Sequence, residues 1–295
     1  MLTDRDFTPR LENSDLPDLS GYSTLHARDF QRAGEVWDRL MPSEYKDLLF
    51  ASFVGERVTA FPVIARGDWR FLLNVQRYRN SKTGAVVNQI KNVELRDDFT
   101  DALHPDAERL GTELSEREIT LHAWCREMAR VIQTAHVGLW LLGAGGYNAI
   151  DTSAVVTLEG TLRQQLDLLT SYAERIKTQN RSDTERQFRL TQRLITARGV
   201  INRGIMFIEA ATQSGERGRI TTYGFHSDIL PHYPGDGSTE CMWRCRCHWR
   251  LVYPKGQNSY YHAYWRLRGG HPDGRNCATC LVYAERYNPY TVIRF

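Results

Sequence analysis

Five of the six cysteines in this 295-residue chain stand between positions 241 and 280. Three fall inside "CMWRCRCHWR" and two inside "NCATC", in the order C-x3-C-x-C, a 29-residue loop, then C-x2-C. A folded chain that gathers its thiols this closely has to give them a common purpose. Zinc takes four soft ligands at tetrahedral corners, with sulfur at about 2.3 Å. Two short knuckles brought together by a β-hairpin supply such a set, and the loop between them has hairpin length and strand-like alternation. The spacing therefore predicts a structural zinc site in a zinc-ribbon-like β module. The candidate ligands are Cys241, Cys245, Cys247, Cys277 and Cys280. Cys277 and Cys280 form one pair, and two of the first three cysteines form the other. Cys245 and Cys247 point to one side if the chain is extended there, with His248 and His271 in reserve. A redox role for the closing CxxC is the weaker alternative, because no βαβ pattern precedes it. Disulfides would require an oxidising compartment. A closed four-thiolate site has no open position for substrate, so it supplies folding energy rather than catalysis.

Charge separates along the chain in step with the cysteines. The whole protein carries a formal charge of only +3. From Cys241 onward, nine Lys and Arg face two Asp and Glu, giving +7 and leaving the first 240 residues at −4. A basic segment on an acidic body suggests an anionic partner at that end. The candidate contact residues are Arg244, Arg246, Arg250, Arg266 and Arg268. Tyr260, Tyr261, Tyr264 and Trp265 stand among them, where they serve either as stacking surfaces or as the core of the module.

The fold class expected is α+β, in four parts. Residues 1–28 read as an extended arm with Pro9, Pro17 and Gly21 and no helical period. Residues 29–227 read as a helical body. "DFQRAGEVWDRLM" places Phe30, Ala33, Val36, Trp37 and Leu40 on one helix face, and a second short helix is expected in "SEYKDLLFASF". Short β-branched and aromatic runs near 57–90, with "NSKTG" as a turn, predict a β-hairpin inserted in the body. The chain is expected to be helical from about Leu95. One long helix carries Leu121, Trp124, Cys125, Met128, Ile132, Ala135, Leu139 and Leu142, starting at Ser115 or Thr120. A second carries Val155 through Ile176. A third opens at Ser182 and runs past Gly199 to Ile208. The three are expected to bury their stripes as an antiparallel bundle. Residues 228–240 read as a Pro- and Gly-rich linker, and 241–295 as the basic zinc-binding β module, with strands in "CHWRLVY", "SYYHAYWRLR" and "YNPYTVIRF".

Other chemistry finds little support in the sequence. There is no GxxxxGK[ST], GxSxG or HExxH, and "GAGGYN" follows a helix rather than a strand, so the dinucleotide reading fails on context. Cys125 sits alone on an apolar helix face, the ordinary place of a buried free thiol. His122 and His136 read as plain helix residues. The acidic, polar N-terminus lacks a basic region followed by an apolar run, so no signal peptide is expected, and no stretch reaches spanning length.

Several stretches together resemble one family. "VWDRLMPSEYKDLL", "QRYRNSKTGAVV" with "ELRDDF", "ITLHAWCREMARVIQTAHVGLWLLGAGGYNA", "PHYPGDGSTECMWRCRCHWRL" and "HAYWRLRGG…CATC…RYNPY" are similar to the minor head, or head morphogenesis, proteins of tailed bacteriophages. The sharpest marks are "YPGDGSTEC", the cysteine pattern and the closing CxxC followed by "NP". The resemblance implies a virion protein without catalytic role, assembled in the host cytoplasm. It implies placement in the head near the portal and contact with portal or major capsid protein; multiple copies per particle are expected, although the resemblance does not fix their number. A nucleic-acid-binding protein that sets a basic zinc module on packaged DNA is the alternative.

Overall fold

The computed structural model describes residues 16–40, 69–72, 77–80, 86–87, 89–144, 152–179, 197–221, 229–245, 247–252, 260–267 and 276–293. The fold is mainly helical, with a small three-stranded antiparallel sheet and the cysteine cluster near the C-terminus.

Helix α1, Ala27–Leu40, buries Phe30, Ala33, Val36 and Trp37, the face its spacing predicts. Asp29 in its first turn accepts from the His26 backbone N–H (2.9 Å) and so satisfies one unpaired donor of the helix start. Trp37 donates to the Gly138 carbonyl (3.1 Å) and stacks on Phe99 at 4.3 Å. The segment before α1 does not behave as a free arm over its described part. A 3-10 turn at Ser20–Tyr22 brings Leu19 and Leu25 into the core. The Leu25 N–H donates to Glu159, and Gln133 donates to the Tyr22 carbonyl. Residues 16–28 are therefore docked on the body, which corrects the expectation of an extended arm there; residues 1–15 lie outside the described part.

Three short strands follow: β1 Trp69–Leu72, β2 Arg77–Asn80 and β3 Val86–Val87. They pair antiparallel in that order, with Trp69 opposite Asn80 and Tyr78 opposite Val87. The strands fall within the expected hairpin region; Asn80, the first residue of "NSKTG", ends β2, and the rest of the expected turn lies outside the described residues. The short helix expected in "SEYKDLLFASF" lies outside the described residues.

Helix α2, Gln89–Ser115, begins earlier than its apolar pattern suggests and runs through Pro105. Proline inside a helix costs about 3 kcal/mol or more. Burial of Phe99, Leu103, Ala107, Leu110 and Leu114 along the same helix offsets that cost. Helix α3, Leu121–Ala144, starts at Thr120, whose hydroxyl accepts from the Ala123 N–H (3.1 Å). Ser115 instead closes α2. Every residue of the α3 stripe is buried, and from Ile132 to Ala144 all sides are. A helix apolar all round belongs in the middle of a fold, and α3 is packed by α1, α2, α4 Thr152–Gln179, α5 Ala197–Glu209 and α6 Thr212–Thr221. The expected stripe of α4, from Val155 to Ile176, is likewise buried. Residues 180–196, where the third helix was expected to open, lie outside the described part, and α5 carries its second half.

Helix α6 has no apolar period to announce it. Its sequence "TQSGERGRIT" is polar, yet most of it is buried. Missing side chains explain the fit against α3. A methyl group at Gly143 would stand 1.9 Å from the Gly215 carbonyl oxygen, and one at Gly218 would stand 2.6 Å from that of Trp140. Three glycines let two helix backbones touch where any side chain would separate them.

The C-terminal sheet consists of β4 His248–Val252, β5 Tyr260–Arg266 and β6 Tyr290–Ile293, antiparallel in the order β4-β5-β6. Helix α7, Ala278–Arg286, is inserted before β6, and the Asn288–Pro289 peptide between them is cis. β5 alternates strictly, with Tyr261, Ala263 and Trp265 inward. Trp249 is the centre of this second core, edge-on to Trp265 at 5.3 Å and tilted against Tyr287 at 5.4 Å. Leu230 and Tyr233 complete it. Residues 229–240, expected as a linker, are thus packed turns of the module rather than a spacer.

Candidate metal centre

Two structures converge on the thiols. On one side the chain descends through "YPGDGSTEC". Gly235 and Gly237 both take φ +83°, open to glycine at little cost. A methyl at Gly237 would stand 2.9 Å from the Trp243 ring. Asp236 accepts from the Tyr233 and Ser238 N–H groups at 2.7 and 2.8 Å and locks the turn. The Thr239 carbonyl accepts from Met242 N–H, and the Thr239 hydroxyl lies 3.2 Å from Cys241 Sγ. A 3-10 turn, Met242–Arg244, then swings the chain so that Cys241 and Cys245 face one point. On the other side stands the N-terminus of α7. Cys277 is its cap residue, and its sulfur accepts from the Cys280 N–H at 3.4 Å. Glu240 accepts from the Ala278 N–H at 3.0 Å, adding a carboxylate at the positive end of the helix dipole.

The sulfurs of Cys241, Cys245 and Cys280 all lie within 4.8 Å of one another. Cys280 stands 3.8 Å from Cys241 and 3.6 Å from Cys245, and Cys277 stands 3.6 Å from Cys241. A tetrahedron with 2.3 Å metal–sulfur bonds has edges of about 3.8 Å. A disulfide requires about 2.0 Å, and all six cysteines are free. Cys245 and Cys280 are buried, Cys241 and Cys277 partly so. Cys241 hydrogen-bonds the Cys245 thiol and draws its pKa down, whereas hydrogen bonding from Cys241, Cys245 and Cys247 pushes that of Cys280 up. Several thiolates in so small a space repel, and a cation is what lets them ionise together.

Cys247 is buried and hydrogen-bonds Cys245 and Cys280 through its thiol; neither it nor Cys277 is in the mutually close set of three, and Cys277 is the one that stands at the start of α7 beside Cys241. The closing CxxC differs from the expected ribbon: it opens a helix instead of turning between strands. His248 lies on β4, and His271 lies outside the described residues.

The predicted contact arginines separate. Arg244 Nε is bound to Glu209 at 2.8 Å. Arg250 projects from β4 into solvent, and Arg266 lies over the Tyr264 ring at 4.9 Å. Arg246 and Arg268 lie outside the described residues. The sequence reading missed the anchor between module and body. Glu216 and Arg219 of α6 form a buried ion pair of 2.7 Å. Arg219 also donates to the Trp249 carbonyl, and Glu216 accepts from the Trp249 N–H at 3.5 Å. The pair thus meets both outward backbone groups of Trp249 on β4, an edge strand of its sheet. Burial pushes the Glu216 carboxyl up, but the Arg219 charge and hydrogen bond more than offset it, and the pKa lies below the ordinary value.

Burial pushes the Cys125 thiol up to about 12, which keeps it protonated and inert. A cleft between α1, α2 and α3 is lined by Arg32, Glu35, Arg39, Asp106, Arg109 and Arg130. Arg109 is paired with Glu113 and Asp106, and Arg130 with Glu127. No helix among the described residues is long and apolar enough to cross a membrane. Comparison with known proteins finds no matching family model, curated protein or solved structure.

Proposed function

We propose that this chain is a non-catalytic structural protein of a tailed-phage head, working near the portal, with a C-terminal module closed by one structural zinc. The ligands are Cys241, Cys245, Cys277 and Cys280, and Cys247 supports them by hydrogen bonding. The observation that carries the reading is the sulfur geometry: Cys241, Cys245 and Cys280 lie within 4.8 Å of one another, close enough to share one cation, and Cys277 stands 3.6 Å from Cys241. Two of the stretches that resemble head morphogenesis proteins support the remainder, because they build this C-terminal module. "YPGDGSTEC" forms the turn leading to Cys241, "CATC" opens α7, and "NP" forms the cis turn into β6. Zinc fits because it prefers four thiolates and needs no redox chemistry. The metal ties a turn, a helix end and, through Cys245, the start of β4 into one rigid unit that can be presented to a portal or capsid subunit.

Two measurements test the reading separately. Metal analysis of chain purified without chelator should find one zinc per molecule; metal-free protein with five reactive thiols would remove the site. Co-expression with portal and major capsid protein should recover the chain in assembled heads, in several copies per particle. Its absence from heads, with zinc still bound, would remove the head assignment and leave the metal centre standing.

A further inference from the structure

The inner face of the C-terminal sheet is filled by tryptophan and tyrosine, and the outer face has a different chemistry. Along β5 the outward residues are Tyr260, His262, Tyr264 and Arg266, all half-buried. Their rings form a continuous row, Tyr260 against His262 at 5.3 Å and His262 against Tyr264 at 6.4 Å, both edge to face. Arg266 ends the row over Tyr264. The register sets Arg250 of β4 directly opposite Tyr264, and Thr291 of β6 opposite His262. Arg250 and Thr291 are exposed. None of the three strands contains an acidic residue.

We propose that this outer face binds single-stranded nucleic acid. The strand runs along β5, with bases against Tyr260 and Tyr264 and phosphates held by Arg250 and Arg266. Four residues of β-strand separate the two tyrosines by roughly 13 Å, which gives each its own base. The aromatic row favours a single strand over a duplex. A duplex hides the faces of its bases in its own stack, so the tyrosines would have nothing to stack on, whereas unpaired bases offer a π-face at every step. The absence of carboxylates from the three strands favours a polyanion. Arg244 takes no part, being bound to Glu209. The inference stands apart from the head assignment: binding can hold if particle incorporation fails, and the reverse.

The test is fluorescence anisotropy of the full-length, metal-containing chain with a labelled 12-mer of oligothymidylate and with a duplex of equal length. The single strand should bind at least tenfold more tightly than the duplex. Tyr264→Ala should weaken single-strand binding roughly tenfold, Tyr264→Phe should restore it, and Arg250→Gln should flatten its dependence on salt. Metal content and circular dichroism are read on each variant. If Tyr264→Ala loses its metal, the exposed Arg250→Gln decides the matter. Equal or stronger duplex binding overturns the proposal. So does a folded Tyr264→Ala with unchanged affinity, or polyglutamate competing as well as the oligonucleotide, which would assign the face to an acidic protein surface.

Discussion

Cys280 is buried between Cys241 and Cys245, so it is the thiol whose loss the centre can least absorb. Cys280→Ser is expected to abolish zinc binding, and Cys277→Ser to weaken it strongly. Cys247→Ser should retain one equivalent, since only a hydrogen bond is altered; metal analysis of the three variants checks the assignment. His136 offers a second test at this scale. It is completely buried on α3, with Nδ1 2.7 Å from the Ser214 hydroxyl. Burial, aided by the Arg217 charge, lowers its pKa from 6.5 to about 3. The unfolded chain therefore binds a proton below pH 6.5 that the folded chain refuses until about pH 3. Stability from this group is complete above 6.5 and is lost as the pH falls through that window. At pH 5 the loss is about 2 kcal/mol relative to pH 7.5. Urea unfolding at the two pH values should show this slope, and His136→Gln should remove most of it.

At the scale of elements, α6 decides how the molecule holds together. It seats Gly215 and Gly218 against α3 and turns Glu216 and Arg219 toward β4. Arg219→Ala leaves a buried carboxylate and the Trp249 carbonyl without their partner. Breaking one half of a buried pair costs about 3–5 kcal/mol, and the denaturation midpoint should fall accordingly. Glu216→Gln combined with Arg219→Met removes both charges and should cost less than the single change. Gly143→Ala tests the other side of the same helix. Its methyl meets backbone rather than a flexible side chain, so overpacking should cost at least about 1–3 kcal/mol.

On the scale of the whole molecule, the two cores are distinct but share α6, whose Ile220 belongs to the second. Cys280→Ser should therefore open the module to proteolysis after about residue 228 while most helical signal survives. Loss of all helical signal would mean that the body cannot stand without the module. The docked N-terminal segment gives a second test at this scale. Removing residues 1–26 deletes Leu19 and Leu25 from the core and should lower the stability of the isolated chain by several kcal/mol, at about 1.5–3 kcal/mol for each buried side chain. Thermal unfolding of the truncated chain checks this.

What the sequence by itself determined were the features carried by local period and composition. The stripes of α1, α3 and α4 and the strands β4, β5 and β6 were legible because 3.6- and two-residue periods record which face is buried. The gathering of five thiols was legible because so few cysteines occur elsewhere. Only the tertiary structure decided the rest. Helix α6 is buried without an apolar period because glycines and an ion pair, not a stripe, make its contacts. Pro105 is carried inside α2 by packing that the local rule does not count. CxxC opens a helix in which Cys277 is the cap and Glu240, 37 residues before it, accepts from the Ala278 N–H, and Arg244 is held by Glu209 across two elements. These outcomes depend on which desolvated group meets which partner across long sequence distances, and no local pattern encodes that.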